Sequence, residues 1–174
     1  MIKKKKLFKR PKKLFESFRI KEENELAKKY GLKNKKEIWK ALARVNYIRK
    51  RAMALARMPL GEQESLFGKL RGLGLKAGNT ADVLGLQVED ILNRRLPTII
   101  FKKGMARTLK QARQLVVHKK VLIDKKAVNS PSYLVHLAEE GKISIKEQKP
   151  KKEKPAEQPA ETQEQQVKEA KENA

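Results

Sequence analysis

The chain has 174 residues, 43 Lys and Arg against 20 Asp and Glu, a formal charge of +23 at pH 7 and only 5% aromatic residues. That length suits one or two small domains with a modest aliphatic core, and it leaves no room for a large catalytic core. So much unbalanced charge repels itself in a compact chain and favours a polyanionic partner.

Nucleic acid ranks ahead of an anionic membrane, because no apolar run approaches the roughly 18 residues that a span needs. The basic N-terminus has neither the apolar core nor the small-residue cleavage site of a secretory signal. The absence of cysteine excludes disulfides and thiolate-held zinc, and fits a reducing cytosol.

Residues 1–13 (MIKKKKLFKRPKK) carry eight Lys or Arg and no acid, an extended basic arm suited to phosphate contact. A helical domain is expected over 14–83. Glu22 to Tyr30 predicts a short helix, with Gly31 as its left-handed stop. Asn34 followed by Glu37 predicts a capping-box start for the next helix. From Lys36 onward, Ile38, Ala41, Leu42, Val45, Ile48, Ala52 and Leu55 keep helical spacing, so a helix of about twenty residues should end before Pro59. Its other face carries Lys36, Lys40 and Arg44, with Lys50, Arg51 and Arg57 further on; Trp39 and Tyr47 are read as packing residues, with stacking on a base as the alternative for either. Glu62 to Leu73 predicts a third helix. Gly72, Gly74 and Gly78 read as helix stops and a turn: no Gly-Lys-Ser/Thr follows and no strand precedes them, so they do not form a phosphate loop. Asn79 and Thr80 then make a turn or cap.

A small module is expected over 84–146. "QVEDILNRRL" predicts an amphipathic helix with Val88, Ile91, Leu92 and Leu96 facing inward, Arg94 and Arg95 flanking them, and Pro97 limiting its length. "TIIF" is an apolar stretch and "KKGMAR" a basic turn at Gly104. Thr108 is a good N-cap for a helix running to about His118. On it Leu109, Ala112, Leu115 and Val116 share an arc of about 120°, while Lys110, Arg113, Gln114 and His118 are placed on the opposite side and Val117 intrudes among them. "KVLID" and "KAV" predict a hairpin whose tip carries Lys125 and Lys126. "NSPSYLV" is expected to extend the sheet and "GKISI" to close it. Helix face and hairpin tip would then form one concave basic surface, to which Lys119 and Lys120 also belong. Few aromatics lie on it, which favours recognition by shape and phosphate over base stacking.

Residues 147–174 hold six Lys and seven Glu with no aromatic residue, too little apolar surface to offset ordering, so this tail is expected to be disordered. The fold class is thus α+β: an N-terminal helical domain, a small α-α-β RNA-binding module with a short β-sheet, and a disordered C-terminal tail.

The segment "EDILNRRLPTIIFKKGMARTLKQARQLVVHKKVLIDKKAVNSPSYLV" resembles the RNA-binding module of the small-subunit ribosomal protein four family, archaeal and eukaryotic type. "YGLKNKKEIWKALARVNYIRKRA" and "LFGKLRGLGL" resemble that family's helical domain, so the likeness spans roughly residues 10 to 136. It implies a primary binder of 16S-type ribosomal RNA that grips a multi-helix junction of the 5′ domain early in assembly. It also implies neighbours: ribosomal protein five, and messenger RNA where it enters the subunit, with a contribution to decoding accuracy. Carried over position by position, the RNA-facing residues would be Arg94, Arg95, Lys103, Arg107, Lys110, Arg113, Gln114 and His118 in the module. In the helical domain Tyr30, Lys33, Asn34, Lys35 and Lys36 match a family segment, and Arg49, Arg51 and Arg57 the following basic helix.

Many members carry Gly at the position of Lys119, and Asn-Gly where this chain has Asp124-Lys125. A non-glycine residue in a left-handed conformation costs about 1 kcal/mol, so either the two lysines accept that cost or the turns differ in type. The cysteine cluster that holds zinc in some bacterial members is absent, and no metal, cofactor, small-molecule substrate or membrane partner is expected. The same module is appended to RNA-modifying and tRNA-aminoacylating enzymes, but with only three Asp (82, 90 and 124), none in a catalytic setting, and no room for a catalytic domain, no enzyme is expected. A general basic nucleic-acid binder is the other alternative.

Overall fold

The structure, a computed structural model, describes residues 8–146; residues 1–7 of the basic arm and the whole 147–174 tail lie outside the described residues. At its start Phe8 lies 6.1 Å from the ring of Trp39, and Lys40 Nζ stands 5.9 Å over the Phe8 ring.

Helix α1 (Ser17–Lys29) begins a turn earlier than its apolar pattern predicts, steadied by Arg19, which donates to Glu23 at 2.9 Å and to the Lys13 and Leu14 carbonyls. It ends at Gly31, φ +59°. The conformation favours glycine and the space is tight: a Cβ there would come within 3.1 Å of Leu109 Cβ.

Helix α2 (Lys35–Leu55) is the 21-residue helix its spacing predicts. Ile38, Ala41, Val45, Ile48 and Ala52 are buried along one face, and on a 100° wheel they fall within about 80°. Leu42, expected inside, is exposed at the flank. The capping box does not form: Asn34 is the N-cap, but its side chain makes no cap bond and the Glu37 carboxylate is drawn elsewhere. Helix α3 (Leu60–Gly72) follows. Gly74, φ +74°, lies against Arg94; a Cβ would approach Arg94 Cζ to 2.8 Å.

The predicted turn at Asn79-Thr80 opens a short helix, α4 (Thr80–Gly85), where Asp82 Oδ2 accepts from the Gly78 and Asn79 backbone N–H groups. Helix α5 (Val88–Asn93) is briefer than expected. Pro97 does not end a helix but sits in the first turn of the next, α6 (Leu96–Lys102), which takes in the apolar "TIIF". Proline lacks an N–H that the first turn leaves unpaired in any case, so the same residue is compatible with a stop or a start.

Helix α7 (Leu109–Val117) is capped as predicted, with Gln111 N–H donating to Thr108 Oγ1 at 3.2 Å. Strands β1 (Val121–Ile123) and β2 (Lys126–Ala127) form the expected hairpin. After a short helix α8 (Leu137–Glu140), strand β3 (Ile143–Ile145) pairs with β1, Val121 opposite Ile145 and Ile123 opposite Ile143. The sheet is antiparallel in the order β2-β1-β3. Tyr133 to Val135 do not extend it: Leu134 makes an isolated bridge to Arg95 instead, because the Leu96 N–H donates to the Tyr133 carbonyl and the Val135 N–H to that of Arg94.

Two apolar clusters hold the molecule. One joins α1 to α5, including Val45, Ala52, Leu70, Val83 and Leu92; the other joins α6, α7 and the sheet through Leu96, Ile100, Ala112, Val116 and Val121. The change from one cluster to the other falls between Leu92 and Leu96, where Arg94 and Arg95 stand.

Candidate nucleic-acid interface

The cations of this chain divide into those engaged within the protein and those that are not. In the first group, Glu37 gathers two arginines. Glu37, in the first turn of α2, accepts from Arg113 Nη2 on Oε1 (2.7 Å), and from Arg113 Nη1 (3.0 Å) and Arg95 Nη2 (2.6 Å) on Oε2. Arg95 also donates to the Pro131 carbonyl and to Ser132 Oγ. A single carboxylate thus ties α2, the α5–α6 link, α7 and the 131–132 loop. Burial pushes the Glu37 carboxyl up, but the hydrogen bonds and charges of Arg113 and Arg95 outweigh it and hold it below its ordinary value.

The other engaged arginines have similar work. Arg94 donates to Glu140 and to the Val135 carbonyl, both at 3.0 Å. Arg49 donates to the Leu86 carbonyl at 2.6 Å, fastening α2 to the α4–α5 link. Lys35 lies 3.5 Å from buried Glu23, which also accepts from Trp39 Nε1, and Lys103 donates to the Glu140 carbonyl. Six residues in the predicted RNA-facing set, Lys35, Arg49, Arg94, Arg95, Lys103 and Arg113, are therefore tied into the fold. For Arg113 the reason is its phase: it falls about 40° from Leu109 on the helical wheel, at the border of the buried stripe rather than opposite it.

The remaining predicted residues have no ion-pair partner among the described residues. Lys33, Asn34, Lys36, Arg51 and Arg57 are exposed in or beside α2; Arg107, Lys110, Gln114, His118, Lys119, Lys125 and Lys126 are exposed in or beside α7 and the hairpin, with Lys120 half-buried. Three residues outside the predicted set, Lys40, Arg44 and Tyr47, join them on α2. Lys36, Lys40, Arg44, Tyr47 and Arg51 all lie exposed on α2, within about 80° of arc. Tyr47 is not a packing residue: 63% exposed, it interrupts a basic stripe. The 4-4-3-4 spacing is visible in the sequence once charge and aromatic positions share one wheel. Beside the stripe runs a largely apolar cleft of about 430 Å3 between α2 and residues 132–134.

On the module side the free cations sit on unusual backbone. Lys119 has φ +57°, Asp124 +49° and Lys125 +67°. At Lys119 the cap bonds, Lys120 N–H to the Leu115 carbonyl and Lys119 N–H to that of Val116, repeat the pattern that closes α1 at Gly31 and α3 at Gly74. The two-residue turn at Asp124-Lys125, with both φ values positive, is the primed kind that fits strand twist. Glycine-type geometry is thus kept at both places and lysine occupies it. Among the described residues no cluster of His, Asp and Glu comes together that could hold a metal, and no helix is long and apolar enough to cross a membrane.

An exposed basic stripe, a basic helix end and a cationic hairpin tip can hold phosphates by charge and hydrogen bond. Residues 94–140 match the S4 domain family. The chain is 45% identical over 140 residues to the small ribosomal subunit protein uS4 of Methanothermobacter thermautotrophicus, covering 77% of this chain and 82% of that one. To the uS4 protein of Methanococcus aeolicus it is 49% identical over 133 residues, 72% and 75% of the two chains. To that of Saccharolobus islandicus it is 44% identical over 132 residues, 72% and 73%.

Proposed function

The chain belongs to the small ribosomal subunit protein uS4 family, and from that membership we propose that it is a structural, non-catalytic component of the small ribosomal subunit in the cytoplasm, gripping a multi-helix junction in the 5′ domain of the ribosomal RNA. The observation that carries this reading is the division of cations. The acids of the fold draw in Arg94, Arg95 and Arg113, while Lys36, Lys40, Arg44 and Arg51 on α2, and Lys110, His118, Lys119, Lys125 and Lys126 on the module, are left facing solvent. Two basic surfaces on separate cores, fixed to each other by Glu37, suit a folded RNA that presents backbones on more than one side. A protein of this kind binds early and orders the junction, and contacts to ribosomal protein five and to messenger RNA entering the subunit belong to the same reading, as does an effect on decoding accuracy.

The test is selectivity under salt. At about 0.2 M monovalent salt, where simple phosphate attraction has weakened steeply, the full chain should bind a 5′-domain junction fragment far more tightly than duplex DNA of equal length. Equal affinity for the two would leave only a general basic binder.

A further inference from the structure

Tyr47 lies midway along a cationic stripe, its ring exposed, with Arg44 one turn before it and Arg51 one turn after. Beside it opens the cleft between α2 and residues 132–134, floored by Ala41, Ala43, Ile91, Leu92 and Leu134, with Lys40 and Arg44 among the residues lining it. The small side chains of Ala41 and Ala43 leave the space open. Its one acid, Glu37, is neutralised by Arg95 and Arg113, so an anion meets no opposing charge there. Ser132 Oγ, which accepts from Arg95 at 3.4 Å, keeps its own proton to donate.

We propose that this cleft takes one unstacked nucleobase of the bound RNA, stacked on Tyr47, with the flanking phosphates on Lys40 and Arg44. The inference rests on the RNA-binding function proposed above. A nucleotide is the group that fits all three features: a flat apolar face for the ring and the alanine floor, a polar edge within reach of a hydroxyl, and an anionic tether for two cations. On charge alone the chain's own N-terminal segment is a poor occupant, since residues 1–13 carry eight Lys or Arg and no acid while Lys40 and Arg44 line the cleft. Charge and shape recognition dominate elsewhere on the surface; here one base would be held by its face, giving a local preference that phosphate contacts cannot supply.

The experiment compares the full-length wild type, Tyr47→Phe and Tyr47→Ala for binding a 5′-domain junction RNA over a salt series. Because Tyr47 is exposed, its replacement leaves both cores intact, which circular dichroism checks. Tyr47→Ala should weaken binding by about 5- to 150-fold, the range for loss of one base–aromatic stack, and Tyr47→Phe by no more than about twofold. The salt slope should not move in either variant, because no phosphate contact is removed; loss of one such contact would lower it by about 0.9. Ultraviolet crosslinking of wild type to the RNA should map to residue 47. Unchanged affinity in Tyr47→Ala, equal losses in both variants, or a loss that follows the salt slope would each overturn the proposal. So would capture of an acidic protein segment by the cleft while RNA binding stays intact. A wild-type chain that fails to select the junction RNA over duplex DNA would instead overturn the underlying function, and this site with it.

Discussion

Lysine at position 119 occupies the helix-end backbone that glycine fills at Gly31 and Gly74, and Lys125 holds a positive φ in the hairpin turn. Each left-handed lysine costs about 1 kcal/mol relative to glycine, so Lys119→Gly should raise stability by about that amount in urea unfolding. If Lys119 holds a phosphate, the same change should lower the salt slope of RNA binding by about 0.9. A variant that gains stability with no change in slope would mean the cation touches no RNA. Glu37 gives a second residue-scale prediction through its depressed pKa. A carboxyl held lower in the folded than in the unfolded chain contributes stability above its unfolded value, and that contribution is lost as pH falls through the folded one. The stability gap between wild type and Glu37→Gln should therefore be constant above about pH 5 and shrink on acidification, measured by urea unfolding at pH 7 and pH 3. A gap independent of pH would contradict the ion pairing.

Between α2 and α7, among the described residues, the Glu37–Arg113 pair is the side-chain link, and the turn before α2 also approaches α7 closely, at Gly31 and Leu109. Glu37→Gln removes a negative charge from a protein that binds a polyanion, and charge alone would make binding tighter. Because the two basic surfaces would lose their fixed spacing, the expected result is weaker binding to the folded junction, with binding to an unstructured polyribonucleotide equal or tighter. Parallel gains for both RNAs would show that Glu37 does not set the spacing. The elements themselves were largely legible in the sequence. Helix α7 announced itself through Thr108 and a four-residue apolar stripe, and the hairpin through two short β-branched runs around a polar pair. Pro97 was ambiguous, since a proline fits the first turn of a helix as well as the residue after one. Tyr133 to Val135 had strand composition, but their backbone groups were claimed by residues 94 to 96, a pairing that no local pattern encodes.

For the whole molecule, the site was legible in composition and only partly in detail. The excess of cations pointed to a polyanion, and the placement of Lys110, His118 and the hairpin tip on the surface followed from helical phase and turn position. Which arginines are spent on the fold did not follow, because their partners lie far away: Glu37 is 58 residues from Arg95 and 76 from Arg113. A carboxylate near a helix start reads locally as a cap, and only the packed structure turns it into the tie between two cores. The most direct test of the account is chemical probing of small-subunit ribosomal RNA with the full chain bound. Protection should appear at the backbones of a multi-helix junction in the 5′ domain, on more than one helix, and a quadruple Lys36/Lys40/Arg44/Arg51→Ala variant should lose one part of that pattern and keep the part given by the module. Diffuse protection across the RNA, or a pattern lost as a whole, would contradict two separate basic surfaces holding one folded junction.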